Sequence, residues 1–163
     1  MGANSEEQSG LYFSWGNTEG HAEGSGYDFS QAVYDTTPAA AITTNLSLSQ
    51  DAARADLGAP WRMPTAAEFQ ELYDNCTHVW TTKNGLRGIL FTSKVNGKTL
   101  FLRAAGRYDG TTLGNQGTVG LYWSSTYFNA TSARYLYFSS SEINPQRTNL
   151  RHYGFAVRAV LNL

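Results

Sequence analysis

The sequence predicts an α+β domain in which two helices pack on short, mostly antiparallel strands joined by long irregular loops. Three observations carry this. Short runs rich in aromatic and aliphatic residues recur through the second half, as at Gly88–Thr92, Thr99–Arg103 and Leu121–Ser125. Two segments between Ser49 and Cys76 carry helix-start chemistry and apolar spacing. Sixteen glycines in 163 residues favour tight turns over long helices.

The elements follow in order. Residues 1–10 are polar and read as a flexible segment, leaving residues 11–163 as one domain. Leu11-Tyr12-Phe13-Ser14-Trp15 reads as a strand stopped by Gly16-Asn17. Gly20 to Tyr34 reads as a long loop, and Asp35 to Ser47 as irregular, with Pro38 breaking any helix. Ser49 to Gly58 predicts a short helix capped by Ser49 and closed by Gly58. Pro60 to Pro64 is a rigid connection. Thr65-Ala66-Ala67-Glu68 matches a capping box, in which two side chains satisfy backbone N–H groups at a helix start. Phe69, Leu72, Tyr73 and Cys76 follow at helical spacing as its buried stripe. His78 and Trp80 lie near the next strand. Asn96-Gly97 is a hairpin signal before the strand Thr99–Arg103, because that turn needs positive φ at both centres. Gly106 to Gly117 reads as a glycine-rich loop. Leu121–Ser125, Arg134–Phe138 and Phe155–Val160 supply the last strands.

Composition excludes several functions. The formal net charge is −1, and no Lys/Arg cluster offers a field for nucleic acid. No apolar run is long enough to span a membrane. Cys76 is the only cysteine, so no intrachain disulfide forms. Met1 to Glu7 lacks the basic-then-apolar pattern of a secretory signal. Either the chain is made and assembled in the cytosol, or further sequence precedes it.

The stretch from Gly120 to Val160 has a different character. A patterned frame encloses Tyr127, Phe128, Asn129, Tyr135, Tyr137, Arg147, Thr148, Asn149, His152 and Tyr153. Tyr, Asn, Ser and Arg are the residues of adaptable binding surfaces, giving large amphipathic contacts and flexible hydrogen bonds. Alternation along Arg134–Phe138 sends Leu136 and Phe138 to a core and both tyrosines outward. Replacing Tyr135 and Tyr137 together with Ala is therefore expected to remove binding at little cost in stability. No Lys follows Lys98, and Glu142 is the only acid after Asp109, so the surface is aromatic, polar and weakly cationic. The competing reading is a Tyr/Asn/Ser-rich hairpin with no ligand.

Together, Trp61-Arg62-Met63-Pro64-Thr65 with Glu68-Phe69, Ala104-Ala105-Gly106, Tyr122-Trp123-Ser124-Ser125-Thr126 and Gly154-Phe155-Ala156-Val157-Arg158 resemble C-type-lectin-fold proteins. The closer resemblance is to the variable proteins of diversity-generating retroelements, and it covers nearly the whole chain from Leu11. In that family a reverse transcriptase misreads template adenines and scatters Asn codons into a restricted alphabet. That alphabet includes Tyr, Phe, Ser, Thr, Arg, Leu and His and lacks Lys, Gln, Glu, Met and Trp. The resemblance implies a C-type lectin-like fold with a variable region at about 120–160. It implies that Leu121, Phe128, Asn129, Thr131, Ser132, Tyr135, Tyr137, Ser139, Arg147, Thr148, Asn149, Leu150, His152 and Tyr153 are diversified. With Tyr127 as a further aromatic anchor, these form one solvent-facing patch. Glu142, Gln146 and Trp123 would be fixed. Arg134 departs from the pattern, which wants an aromatic partner for Leu136, and is expected to reach the rim.

The function expected is non-enzymatic recognition of a variable cell-surface protein or glycan, by a phage tail or a cell-surface adhesin, without cofactor, metal, nucleic acid or membrane insertion. The ligand's identity and the oligomeric state, a homo-oligomer included, stay open. Other readings are a lectin-like glycan binder without diversification and a structural virion or surface protein. Formylglycine-generating enzymes share a related fold, but their chemistry needs reactive cysteines, and Cys76 sits alone on an apolar helical face as an inert thiol. His21, His78 and His152 lack metal-ligand spacing. Trp61 and Trp123 read as core residues. Asn144-Pro145-Gln146 faintly resembles the proline-centred sugar motif of calcium-dependent lectins, but calcium needs several carboxylates. Asn75-Cys76-Thr77 is a sequon at the end of a packed helix and is discounted.

Overall fold

Hydrophobic patterning and capping produce an α+β architecture across residues 10–161, which the computed structural model describes. The flexible segment expected over residues 1–10 lies, Gly10 apart, outside the described residues. The first half is more structured than its sequence suggests. Strand β1 shrinks to Tyr12–Phe13. The expected loop at Gly20–Tyr34 ends in a short helix α1, Gln31–Tyr34, whose N-cap Ser30 accepts from the Val33 N–H. Pro38 opens a 3-10 turn, Pro38–Ala41, rather than breaking one, since a first-turn residue needs no N–H partner. A second 3-10 turn, Leu48–Gln50, takes the place of the expected start of the next helix.

Helix α2 is Ala52–Leu57, capped by Asp51 and not by Ser49. Asp51 is buried, and its carboxylate accepts from the Arg54 N–H at 3.0 Å and from the Met63 N–H at 3.0 and 2.8 Å. One side chain thus caps a helix and anchors the segment after it. That segment is not only a connection: β2, Trp61–Arg62, pairs with β12, Val160–Leu161, near the end of the chain. Helix α3, Ala66–Asn75, starts with the expected capping box at Thr65 and Glu68. Its stripe is narrower than expected. Ala66 and Phe69 are buried, Leu72 and Tyr73 are half-buried, and half-buried Cys76 belongs to the following strand.

Strands β3, Cys76–Lys83, β4, Leu86–Ser93, and β5, Thr99–Arg103, form an antiparallel sheet. The two Asn-Gly pairs differ. Asn84 and Gly85 both have positive φ, 50° and 81°, and close a two-residue turn with Lys83 opposite Leu86. At Asn96-Gly97 only Gly97 is positive, and the loop spans residues 94–98. The signal marked a hairpin in both places, but the tight turn forms at the pair not singled out. The expected glycine-rich loop is also a hairpin: β6, Arg107–Asp109, pairs with β7, Thr112–Gly114.

The last quarter builds a five-stranded sheet with β8, Val119–Tyr127, β9, Ser132–Ser139, β10, Ile143–Leu150, and β11, Phe155–Ala156. Its order is β1-β11-β8-β9-β10, antiparallel except where β11 meets β8. Strand β10 was not anticipated. Its Asn-Pro-Gln-Arg-Thr-Asn run has little strand propensity, and it sits at the sheet edge, where Pro is tolerated.

This sheet is covered on both faces. Tyr122, Leu136, Phe138 and Ala156 join Phe69, Ile89, Phe91 and Leu102 in one core, so α3 and the β3–β5 sheet pack on this side. Leu121, Trp123, Tyr135 and Phe155 join Phe13, Trp15, Tyr34, Ala53 and Met63 in a second core under the irregular first half. Burying each large apolar side chain contributes about 1.5–3 kcal/mol. Trp123 is fully buried as expected, whereas Trp61 is only half-buried. The alternation expected along β9 is present, but the outward face is itself roofed. Tyr135 therefore belongs to a core, at 3% exposure, and Tyr137 is half-buried at its margin.

Candidate ligand-binding site

A cleft of about 290 Å³ opens where β8, β9 and β10 meet the β6–β7 hairpin. Six of the residues singled out in the sequence line it: Leu121, Tyr135, Tyr137, Arg147, Thr148 and Asn149. They come from three strands brought together by pairing, with Leu121 opposite Tyr137 and Tyr135 opposite Arg147. A bulge decides which β10 side chain arrives. Asn144 pairs with Tyr137 and Arg147 with Tyr135, so β10 carries one extra residue around Pro145-Gln146. Without it, Gln146 would stand opposite Tyr135, and the Arg147 side chain would turn to the other face.

The lining is rich in donors. The Arg147 guanidinium lies over the Tyr137 ring at 4.3 Å from its centroid, and Arg107 lies over Tyr153 at 4.4 Å. Such stacking fixes the plane of the fork and leaves its N–H groups for a ligand. Arg147 also approaches Glu142 at 3.7 Å, a half-exposed pair of modest strength. Burial raises the Tyr135 phenol above its ordinary value, opposed by the Arg147 charge, a hydrogen bond with Asn149 and the Arg107 charge. No carboxylate lines the cleft.

Sequence reasoning missed Val119 and, on the hairpin side, Arg107 and Asn115, which complete the cleft. Asp109-Gly110, a hairpin dipeptide, was the available signal: Asp109 pairs with Thr112 across that turn.

The other candidates do not join one solvent-facing patch, which corrects that expectation. Leu121 and Tyr135 line the cleft from below as core residues, each at 3% exposure, because the sheet face they share is roofed. His152 is also buried, at 8%, with Nδ1 2.8 Å from Gln31 Oε1, and its ring sits 4.5 Å from Tyr153. Burial lowers its pKa. Phe128 is exposed but stacks on Arg134, whose place in β9 puts it on the face opposite Tyr135. Arg134 also donates to the Gln146 carbonyl, so it replaces the missing aromatic with a stacked and hydrogen-bonded arm. Asn129 and Thr131 lie in the β8–β9 turn and Ser132 opens β9, with Asn129 Oδ1 accepting from the Thr131 and Ser132 N–H groups. Tyr127 and Tyr153 are half-buried against the core, and Leu150 is exposed beyond the end of the cleft. Ser139 lines a different cleft, with Tyr73, His78, Trp80 and Glu142.

One residue not singled out holds this region together. Arg151 is fully buried, with its guanidinium 4.7 Å from the Trp15 ring and 4.9 Å from the Tyr127 ring. It donates to the Ile42 carbonyl at 2.9 Å and the Asn129 carbonyl at 2.6 Å, tying the β8–β9 turn to the first half of the chain. Among the described residues, no three His, Cys, Asp or Glu side chains cluster as a metal site. Comparison of the chain with protein-family models, curated proteins and solved structures gives no match.

Proposed function

We propose that this chain is a non-enzymatic recognition domain of C-type lectin-like fold, whose β8–β10 cleft binds a cell-surface target. The observation that supports this is convergence. Six residues singled out in the sequence, spread from Leu121 to Asn149, line one cleft without an acid among its walls. Tyr137 supplies apolar area with little entropy to lose, and Arg147 and Asn149 supply directional contacts, whereas Thr148, opposite Arg134, turns its side chain to the other face. Buried Leu121 and Tyr135 form its floor. In this reading the diversifying positions are the exposed walls, and the stacked Trp123 and Phe155 rings, 4.1 Å apart, are the fixed frame. The domain serves a phage tail or a cell-surface adhesin.

The test is a binding screen of the full chain against a panel of bacterial surfaces and a glycan array, with and without chelator. The Arg147→Ala/Thr148→Ala/Asn149→Ala variant should lose the surfaces that the parent binds and keep its melting temperature within a few degrees. Undiminished binding by that variant would remove the cleft from the account.

A further inference from the structure

We propose that the cleft takes an acidic monosaccharide unit, with the carboxylate held by Arg107 and Arg147 and the ring hydroxyls by Asn115 and Asn149. This inference rests on the recognition reading above and narrows its ligand.

Three features carry it. The first is charge. Two guanidiniums border the cleft and no carboxylate lines it. Glu142, at 3.7 Å from Arg147, is a partly exposed rim partner. Arg147 is exposed and only loosely paired, so its fork is open to a ligand carboxylate. The second is preorganisation. Each guanidinium is stacked on a tyrosine, Arg147 on Tyr137 and Arg107 on Tyr153. A stacked fork has already lost much of its rotamer freedom, so binding a planar carboxylate costs less ordering. The Tyr135 phenol also lines the cleft, as a hydroxyl that can donate or accept. The third is size and polarity. At about 290 Å³ the cleft falls just below the ~300–1,000 Å³ range of small-molecule sites, room for one ring-sized group. Asn149 and Asn115 border that space with amide groups, which suit a polyhydroxylated ring better than an acidic side chain on a peptide.

The test is a ¹H–¹⁵N NMR titration of the full chain with N-acetylneuraminic acid and with glucuronic acid. N-acetylglucosamine, inorganic phosphate and N-acetylglutamate amide serve as comparisons. The proposal expects saturable shifts at Tyr137, Arg147, Thr148 and Asn149 with at least one acidic sugar, at least ten-fold tighter than with any comparison. Arg147→Gln and Arg107→Gln should each weaken binding about ten-fold or more, in a well-dispersed spectrum that confirms folding. Glu142→Gln should tighten it, because Arg147 then loses its competing partner. Rising salt should weaken it. Equal binding of the neutral sugar or phosphate, binding of the glutamate derivative alone, or no shift at the cleft would overturn the proposal. If acidic sugars are silent while the triple variant still loses its cell surfaces, only this inference falls and the recognition reading stands.

Discussion

Trp123 and Tyr135 meet edge to face across β8 and β9, with ring centroids 5.9 Å apart. Tyr135 also lies 5.0 Å from the Phe155 ring, so it closes an aromatic cluster in the core while its phenol reaches the cleft. Tyr135 is thus both framework and floor, and the expectation that it could be removed at little cost is withdrawn. Tyr135→Ala should cost about 3–5 kcal/mol, as truncation of a buried aromatic does. Tyr137→Ala, at the margin, should cost much less. Chemical denaturation of the two single variants checks this, and a Tyr135→Ala midpoint close to the parent's would place that ring outside the core.

Gly120 stands opposite Phe138 in the β8–β9 register, and a Cβ at Gly120 would run into the Phe138 ring. That ring is fully buried and stacked on Tyr122, so it has little room to yield. Gly120→Ala should destabilise by about 1–3 kcal/mol through overpacking. A melting temperature equal to the parent's would show that the two strands are not packed this closely.

Arg151 is buried between two aromatic rings with backbone carbonyls as its hydrogen-bond acceptors. Arg151→Met keeps the bulk but orphans the Ile42 and Asn129 carbonyls, at about 1–3 kcal/mol for each that stays dry. Arg151→Lys should rescue little, since an ammonium cannot stack and fork at once. Hydrogen exchange at the 128–132 turn should rise in both variants. Full rescue by Lys would mean that charge alone, and not the planar fork, secures the turn.

The legibility of the chain follows from where its information is local. The Thr65–Glu68 capping box and the strand Thr99–Arg103 were readable because their determinants lie within a few residues. Strand β10 was not, because Asn144 to Asn149 are held by pairing with β9 rather than by their own propensity. Arg147 and Tyr137 could be chosen from composition, but their meeting depends on a bulge that the sequence does not announce. Tyr135 was placed on the wrong side of the argument for one reason. Period-two alternation says that it faces away from Leu136, but not that Trp15, Tyr34 and Phe155 cover that face as well.

Acid stability should carry the signature of one ion pair. Arg62 grips Glu68 at 2.7 and 2.6 Å, and this hydrogen bonding, aided by the Thr65 backbone, holds the Glu68 carboxyl down to about 2. The folded value lies below the unfolded one of about 4.3, so the pair's contribution is whole above that pH. It drains away as pH falls toward 2. Glu68 is partly exposed, which screens the effect. Melting temperature against pH should therefore fall less steeply from pH 4.5 to 2 in Glu68→Gln than in the parent. Parallel curves would mean that the pair is not formed in solution.

The central claim is that the walls of the β8–β10 cleft change while the frame beneath them does not. Sequencing the coding segment for Gly120–Val160 in many independently propagated lineages measures this directly. The account predicts substitutions concentrated at the codons for Tyr137, Arg147, Thr148 and Asn149, with Trp123, Phe138 and Phe155 unchanged. Substitutions spread evenly over wall and frame, or none at those four codons in lineages that vary elsewhere in the segment, would contradict it.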